Sequence, residues 1–560
     1  MPAISSARTK TLLQAVTIAA AVFIIYFPVF HGDWLWDDGT LILKNRAIHD
    51  STGLAAIWTS SISGTEYLPL TSSVEWLEWH AWGSDTLGYH LTSVLLHLVS
   101  AVLVWRLFDK LGLRSAWLGG LLFAIHPVAV ESVAWISELK NTLSLPPFLL
   151  AMCTWVDHTR TGKRSDFFQS LAWFLIAMLA KPTMLMFPLV IPLFAWWRRG
   201  RIVALDILSA LTFLAISITF GILATNLQGH GAESSLVNID AWSRLATAGW
   251  QIPSLLGKCV LPMHLLPLYP SGLITPASVF DVFPWFLLAA TLGLLWATRN
   301  SWGRGATLGL GFFLFNLLPV LGFIAANATT MIWSMEHLIY IPLIGIIGLM
   351  VAACDAARAR LPSTLRSWAA GALGIGFALF GLQSHSYAAV FTNPGKLWSA
   401  VLAGNPNSAV AHNNLGLFLL NQGKIPEATD HFESALRIKP DYAFAHNGLA
   451  NSLVMGGHNE EAITHYREAL KINPDYPEAH NGLGNVLLEF GRLDEAHAEC
   501  EQALKLAPHY VEAYCTLGLI DAKQGKIAEA IQQFKTAQQL RPSDARIATE
   551  LDYLRAQKGQ

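Results

Sequence analysis

Charge is scarce in this chain. Only 14% of its 560 residues are Asp, Glu, Lys or Arg, against 53% hydrophobic residues, where a soluble domain carries about 25% charged residues. That deficit points to membrane spans rather than to a wholly soluble fold. The net charge of −2 gives no bulk attraction to nucleic acid. Cysteine is rare as well: Cys153, Cys259, Cys354, Cys500 and Cys515 are scattered and form no CxxC pair, so neither a disulfide framework nor a zinc site is indicated. A Walker loop, GxSxG, HExxH and GxGxxG are all missing. Their absence argues against a nucleotide-driven pump, a serine hydrolase and a soluble sugar-nucleotide transferase. Carboxylate-rich loops are present, but no ligand spacing compels a divalent ion, and no cofactor is firmly indicated.

Long apolar runs are abundant. A spanning helix takes about 20 apolar residues, and eleven segments qualify: 11–30, 87–108, 115–133, 141–157, 167–182, 183–197, 203–225, 283–298, 306–326, 338–355 and 367–384. The first follows Arg8 and Lys10 without a small-residue cleavage site, so it reads as a span and not as a signal peptide. Segment 243–266 is also apolar, but Pro253, Pro262 and Pro267 interrupt it, which predicts an interfacial or re-entrant element. Basic residues stay on the cytoplasmic side. Eleven crossings place Arg8/Lys10, Arg106/Lys110/Arg114, Arg160/Lys163/Arg164, Arg198/Arg199/Arg201, Arg299/Arg304 and Arg358/Arg360/Arg366 all on one face. The expectation is a multi-pass protein of the cell (inner) membrane, with a cytoplasmic N-terminus and a periplasmic C-terminal part. Loop 31–86 then faces outward with eight carboxylates (Asp33, Asp37, Asp38, Asp50, Glu66, Glu75, Glu78, Asp85) against Lys44 and Arg46.

The last quarter of the chain is periodic. Pro406, Pro440, Pro474, Pro508 and Pro542 stand 34 residues apart, the period of tetratricopeptide helical hairpins. Small residues let paired helices approach, large ones fill the gaps, and proline ends each hairpin. The expected division is a membrane body over 1–390 and a repeat domain over 391–560. The latter holds four full repeats over about 409–542, a half repeat before them and a capping helix after. The fold class is all-α. Asn413, Asn447 and Asn481 recur at one period, and Asn451 and Asn485 lie one helical turn further on. Amides there can pair with the backbone of an extended peptide in the groove; solvated asparagines left by the repeat consensus fit the same pattern.

Four places in the membrane body carry candidate chemistry. In WDDG, Asp37 and Asp38 stand between the aromatic Trp34 and Trp36 and the second span. A partly buried carboxylate beside a like charge gains a raised pKa, suited to accepting a proton from a hydroxyl. A helix cap or solvated turn uses the same residues, but their place directly after the first span favours the chemical role. In HPVAVES, His126 and Glu131 sit near the membrane interface, where polar groups are costly and usually functional. Lys181, with Lys140 as companion, lies in apolar surroundings and calls for an anion such as a phosphate; snorkelling to the surface is the alternative. In SMEHLIYIP, Glu336, His337 and Tyr340 open the tenth span, either paired with each other or facing a phosphate or sugar.

These residues stand in an ordered set: WDDGTLILKN, YLPLTSSVEW, GYHLTSVLLH, HPVAVESVAWISELKN, AKPTMLMFPLV, LLGKCVLPMHLLPLYP and IYIPLIG, followed by the repeats. The set resembles, over essentially the whole chain, bacterial membrane proteins that fuse a GT-C glycosyltransferase body to tetratricopeptide repeats. It is similar also to the eukaryotic transmembrane-and-tetratricopeptide O-mannosyltransferases. The resemblance implies an enzyme that takes a sugar, mannose in the eukaryotic case, from a polyprenyl-phosphate carrier at the outer face. It passes the sugar with inversion to hydroxyls of an acceptor protein held by the repeats. Asp37 or Asp38 is the implied base. His126, Glu131, Lys140, Lys181, Arg244, Glu336, His337 and Tyr340 are the implied holders of lipid phosphate and sugar. Such relatives often carry arginine where this chain has Leu68, Leu139 and His337; Lys140, Lys181, Arg244 and Lys258 are the cations left to replace them. The alternative is a non-catalytic membrane scaffold that docks partner proteins through residues 395–557. A transporter would show two related halves, and no such internal symmetry is seen.

Overall fold

The computed structural model describes residues 2–59, 67–227, 240–270, 274, 279–321 and 335–558. Helix is the only regular structure among them. Glu66 of the acidic loop and residues 322–326 at the end of predicted span 306–326 lie outside the described residues. The chain forms two compact units, Met1–Ala400 and Val401–Gln560.

The first unit is built from α1 (Pro2–Tyr26), α2 (Pro69–Trp82), α3 (Thr86–Lys110), α4 (Ala116–Ile125), α5 (Val130–Ala134), α6 (Leu139–Thr161), α7 (Arg164–Ala180), α8 (Phe187–Arg199), α9 (Ala204–Leu227), α10 (Ala241–Val260), α11 (Phe283–Ala297), α12 (Gly303–Leu317), α13 (Leu343–Arg360) and α14 (Ser363–Ala388), with shorter turns between them. Among the described residues, five helical runs are long and apolar enough to cross a membrane alone: Arg8–His31, Thr86–Lys110, Ala204–Leu223, Phe280–Ala297 and Ser363–Thr392. Ala116–Ile125 and Pro127–Ala134 make a sixth if counted as one span bent by 53°. The other predicted spans fall on shorter or more polar helices. The chain is a membrane protein.

The bend follows from His126, which is extended because the residue before a proline avoids the helical region. Its ring bridges the break: Nδ1 accepts the Val128 N–H at 3.3 Å, and Nε2 donates to the Cys259 carbonyl at 3.0 Å. Within segment 243–266 the expected interruption at Pro253 does not occur. Residues 241–260 form one continuous helix through Pro253. Asp240 caps its start, accepting the N–H groups of Trp242 and Ser243 at 2.9 Å. The helix stops only at Leu261, ahead of Pro262. Close packing fixes the body elsewhere: a Cβ on Gly119 would collide with the Phe108 ring. The hydroxyl of Thr71 pins α2 to the end of α7 through the Ala180 carbonyl at 2.9 Å.

The second unit is a row of helical hairpins: Ala409–Asn421 with Ile425–Ile438, Ala443–Met455 with Asn459–Ile472, Pro477–Glu489 with Leu493–Leu506, and Val511–Lys523 with Ile527–Leu540, closed by Ala545–Lys558. Gly423, Gly457, Gly491 and Gly525 end the first helix of each pair at φ between +71° and +81°, which favours glycine. Each first helix opens on a side chain tied to the preceding proline. His412, His446 and His480 donate Nε2–H to the carbonyls of Pro406, Pro440 and Pro474 at 3.0–3.1 Å, and the Tyr514 hydroxyl donates to Pro508 at 3.2 Å.

Phe432 is fully buried between two glycines; a Cβ on Gly416 would stand 2.8 Å from its ring, and one on Gly448 closer still. Phe432→Ala is expected to cost about 3–5 kcal/mol. Hydrogen exchange over residues 409–472 of the full chain should show the lost protection, and unchanged protection would contradict this packing.

Candidate active site

The site is built on the WDDG turn. The Asp38 N–H donates to the Leu35 carbonyl at 2.8 Å, and the Asp37 carbonyl accepts from Thr40 and Leu41 at 3.0 and 2.8 Å. The two adjacent carboxylates part company here. Asp38 is fully buried; its Oδ2 accepts the Leu35 N–H at 2.8 Å and its Oδ1 the Ser137 N–H at 2.9 Å. Burial pushes its carboxyl up to about 7 against the pull of those donors. With each oxygen accepting a backbone N–H and no solvent contact, Asp38 ties the WDDG turn to the segment before α6. Asp37 is solvent-accessible yet crowded by protein. Crowding and the nearby Glu138 push its carboxyl above the ordinary value, while Lys140 opposes the shift. Trp36 beside it stacks on Trp135 at 5.8 Å and meets Trp398 of the helix Pro394–Gly404 edge-on at 5.0 Å.

The segment that Asp38 holds brings in the next groups. Trp135 is extended, Ile136–Glu138 makes one turn, and α6 begins at Leu139, so Glu138 and Lys140 both sit at a helix start. The Asn141 amide donates to Glu138, and Lys181 donates to the Asn141 oxygen. Lys140 Nζ stands 3.7 Å from Glu138 Oε1. Burial pushes His337 down to about 4, so its ring is neutral at pH 7. Burial pushes the Glu138 carboxyl up, while Lys140, Lys181 and the Asn141 amide pull the other way. His337 Nδ1 donates to Glu131 Oε1 at 2.7 Å, and Glu131 Oε2 accepts the backbone N–H of Glu336 at 2.7 Å and of His337 at 3.2 Å. Glu131 thus holds the 336–337 turn in place.

Glu336 lies deeper and is closed off. The Tyr269 hydroxyl donates to one oxygen, the Tyr387 hydroxyl donates to the other at 2.9 Å, and Lys258 Nζ stands 3.9 Å away over the Tyr269 ring. Two expected donor-binding residues are committed to other partners. Both ring nitrogens of His126 are committed at the α4–α5 bend. Tyr340 is buried with its hydroxyl 2.8 Å from His97 Nδ1. Arg244 is on the first turn of α10, about 21 Å along the axis from Lys258 at about 1.5 Å per residue. Leu139 is buried and brings no charge. Sequence reading missed Glu138, Asn141, Tyr269 and Tyr387. The Glu138-to-Asn141 spacing at a helix start was the available signal for the first two; the tyrosines carry none. Glu75, one of the eight carboxylates of loop 31–86, is 6% exposed, and burial pushes it up to about 7 with Lys140 opposing.

The repeat asparagines also differ from expectation. Asn413 and Asn447 are buried, at 3% and 7% exposure, and Asn481 is half-buried. Asn447 and Asn481 reach the hydroxyls of Tyr476 and Tyr510 in the following repeat, so part of their role is to join repeats. Asn451 accepts from the Tyr466 hydroxyl. Asn485 is half-buried.

The two units define a membrane-embedded helical body joined to a tetratricopeptide array. Residues 409–442 and 487–556 match the family described as tetratricopeptide repeat, and 450–491 the family described as TPR repeat. Over most of its length the chain is similar to a curated protein whose own length it covers only in part. Protein O-mannosyl-transferase Tmtc3 of Drosophila melanogaster is 22% identical over 525 residues, 77% of this chain and 55% of that protein. Mouse protein O-mannosyl-transferase TMTC3 is 30% identical over 155 residues, 25% of this chain and 16% of that protein. The chain spans about half the length, or less, of these curated relatives. Among solved structures, the thermophilic TPR protein TTC0263 of Thermus thermophilus is 23% identical with a TM-score of 0.27, covering 32% of this chain and 96% of that one. PilF of Pseudomonas aeruginosa is 28% identical with a TM-score of 0.26, covering 27% and 68%.

The split between the paired aspartates is testable by stability. Asp38→Asn turns an N–H donor towards a backbone N–H and should cost about 1–3 kcal/mol, lowering the thermal midpoint of the purified chain. Asp37→Asn should stay within about 0.5 kcal/mol of the parent. Equal midpoints for the two variants would contradict the assignment.

Proposed function

We propose that this chain is a membrane glycosyltransferase. It moves a sugar, mannose by the names of its relatives, from a polyprenyl-phosphate carrier to a hydroxyl of an acceptor protein. The observation that carries the reading is one accessible carboxylate with a raised pKa, Asp37, beside the lysine-bearing start of α6. In the reaction the acceptor oxygen attacks the anomeric carbon and Asp37 takes its proton. The bond from that carbon to the phosphate oxygen breaks on the opposite face, giving inversion. The phosphate leaves with the electron pair, and Lys140 and Lys181 balance its charge. Glu138 and Asn141 aim those lysines, and Glu131 positions His337 at the edge of the site. The basic clusters support an outer-face site in the cell membrane, with the repeats in the periplasm presenting the acceptor segment. Asn485 and the half-buried Asn481 are the asparagines best placed to meet it.

Asp37→Asn should reduce sugar transfer by about 10²- to 10⁴-fold, the usual contribution of a general base, read by mass spectrometry of acceptor peptides. The base acts deprotonated, so transfer in the parent should fall as pH drops through the raised Asp37 pKa. Lys140→Met removes a charge that opposes the shift, so this acidic limb should move to higher pH. Undiminished transfer by Asp37→Asn, or an unmoved limb, would remove Asp37 as the base.

One observation favours the scaffold alternative: Leu68, Leu139 and the neutral His337 stand where relatives often have arginine. On that reading the aspartate variants behave as the parent, and deleting residues 401–560 abolishes the phenotype.

A further inference from the structure

The basic end of the helical bundle holds a cavity that the proposed reaction does not use. It measures about 920 Å³ and is lined mainly by apolar side chains of α3, α6, α8, α12 and α13, near the upper end of the ~300–1,000 Å³ of ligand pockets. Along α13 the lining runs from Ile344 to Ala356, about 18 Å at about 1.5 Å per residue. That depth is close to one leaflet of the bilayer, whose hydrocarbon core is about 30 Å across both. Arg198, Arg299 and Arg304 line its polar end. Arg304 lies against the turn that ends α8, since a Cβ on Gly200 would meet its guanidinium at 3.4 Å.

Two nearby bases are neutralised: Arg199 pairs with Asp206 and Lys110 with Asp157. Among the described residues, none of Arg198, Arg299 and Arg304 is ion-paired with a carboxylate. Arg198 donates to the Thr159 hydroxyl at 2.5 Å, and Arg299 packs on the Trp296 ring at 4.8 Å. Guanidinium groups at the end of an apolar slot one leaflet deep suit a phosphate that carries hydrocarbon chains. A free phosphate would leave the slot empty, and a zwitterionic headgroup would bring its own cation to the arginines.

We propose that this cavity is a binding site for an anionic phospholipid of the leaflet at the basic end of the bundle. One acyl chain lies along α13, and the headgroup phosphate is held by Arg198, Arg299 and Arg304. The site is separate from the Asp37 cluster: α6 carries Glu138's neighbours at its start and the cavity-lining Trp155 near its end, about 22 Å apart along the helix.

The test is native mass spectrometry of the full chain in detergent, titrated in parallel with phosphatidylglycerol, phosphatidylcholine and inorganic phosphate. Phosphatidylglycerol should be retained one to one, and the other two should neither bind at equal concentration nor displace it. The triple variant R198Q/R299Q/R304Q should bind phosphatidylglycerol roughly a hundredfold more weakly. Gly305→Phe keeps the arginines and fills the slot from a position whose Cβ has open space, 3.9 Å from its nearest neighbour. It should abolish retention too, and it carries the test should the triple variant not fold. Equal retention of phosphatidylcholine, displacement by inorganic phosphate, preferential retention of polyprenyl phosphate, or unchanged binding by a folded variant would each overturn the proposal.

Discussion

The N–H groups of Leu35 and Ser137 meet on the carboxyl of Asp38, although Ser137 stands 99 residues beyond it in the chain. That single side chain fixes the loop after α1 against the turn before α6. It sets where Asp37 projects and where Glu138 and Lys140 begin. A buried carboxyl that accepts two backbone donors tolerates little replacement, because removing it leaves both donors without partners. Placing the acidic pair on a one-turn segment between a span and a loop therefore separates two tasks. Asp38 ties the turn, and Asp37 is left exposed beside it.

Electrostatics around that tie are graded with depth. At the solvent side, Asp37 and the partly exposed Lys140 are accessible. Below them, Glu138 and Lys181 are joined through Asn141. Deeper still, Glu336 is enclosed by two tyrosine hydroxyls and Lys258. Each of these buried carboxylates has a donor or a cation, as burial requires. A phosphate arriving at Lys140 would meet a cation whose present partner, Glu138, retains Asn141. The headgroup can therefore compete for the lysine without stranding the carboxylate.

Much of this was legible in the residues. The 34-residue proline interval announced the hairpins, and their glycines and small-to-large alternation appear where that period puts them. The acidic pair after the first span marked the turn on which the proposed site is built. What was not legible depends on burial that only the folded chain defines. Nothing in WDDG says which carboxylate turns inward, since the decisive donor is Ser137. His126 looked like a functional interfacial histidine because its committed partner, the Cys259 carbonyl, comes from α10. Pro253 looked like a break, but a proline inside a helix removes one hydrogen bond without always ending it. The chain ends the helix instead at Leu261, where Pro262 restricts it. That Asn447 and Asn481 also join repeats was not legible, because their tyrosine partners stand 29 positions later, one repeat on.

The most direct measurement is photocrosslinking with a polyprenyl-phosphate sugar that bears a photoreactive group on the sugar, followed by peptide mapping of the full chain. The account predicts labelling of the segments around residues 34–41 and 135–141, lost on competition with the unmodified donor. Competable labelling confined to the arginine-rich end, around residues 198–201 and 296–304, would contradict it.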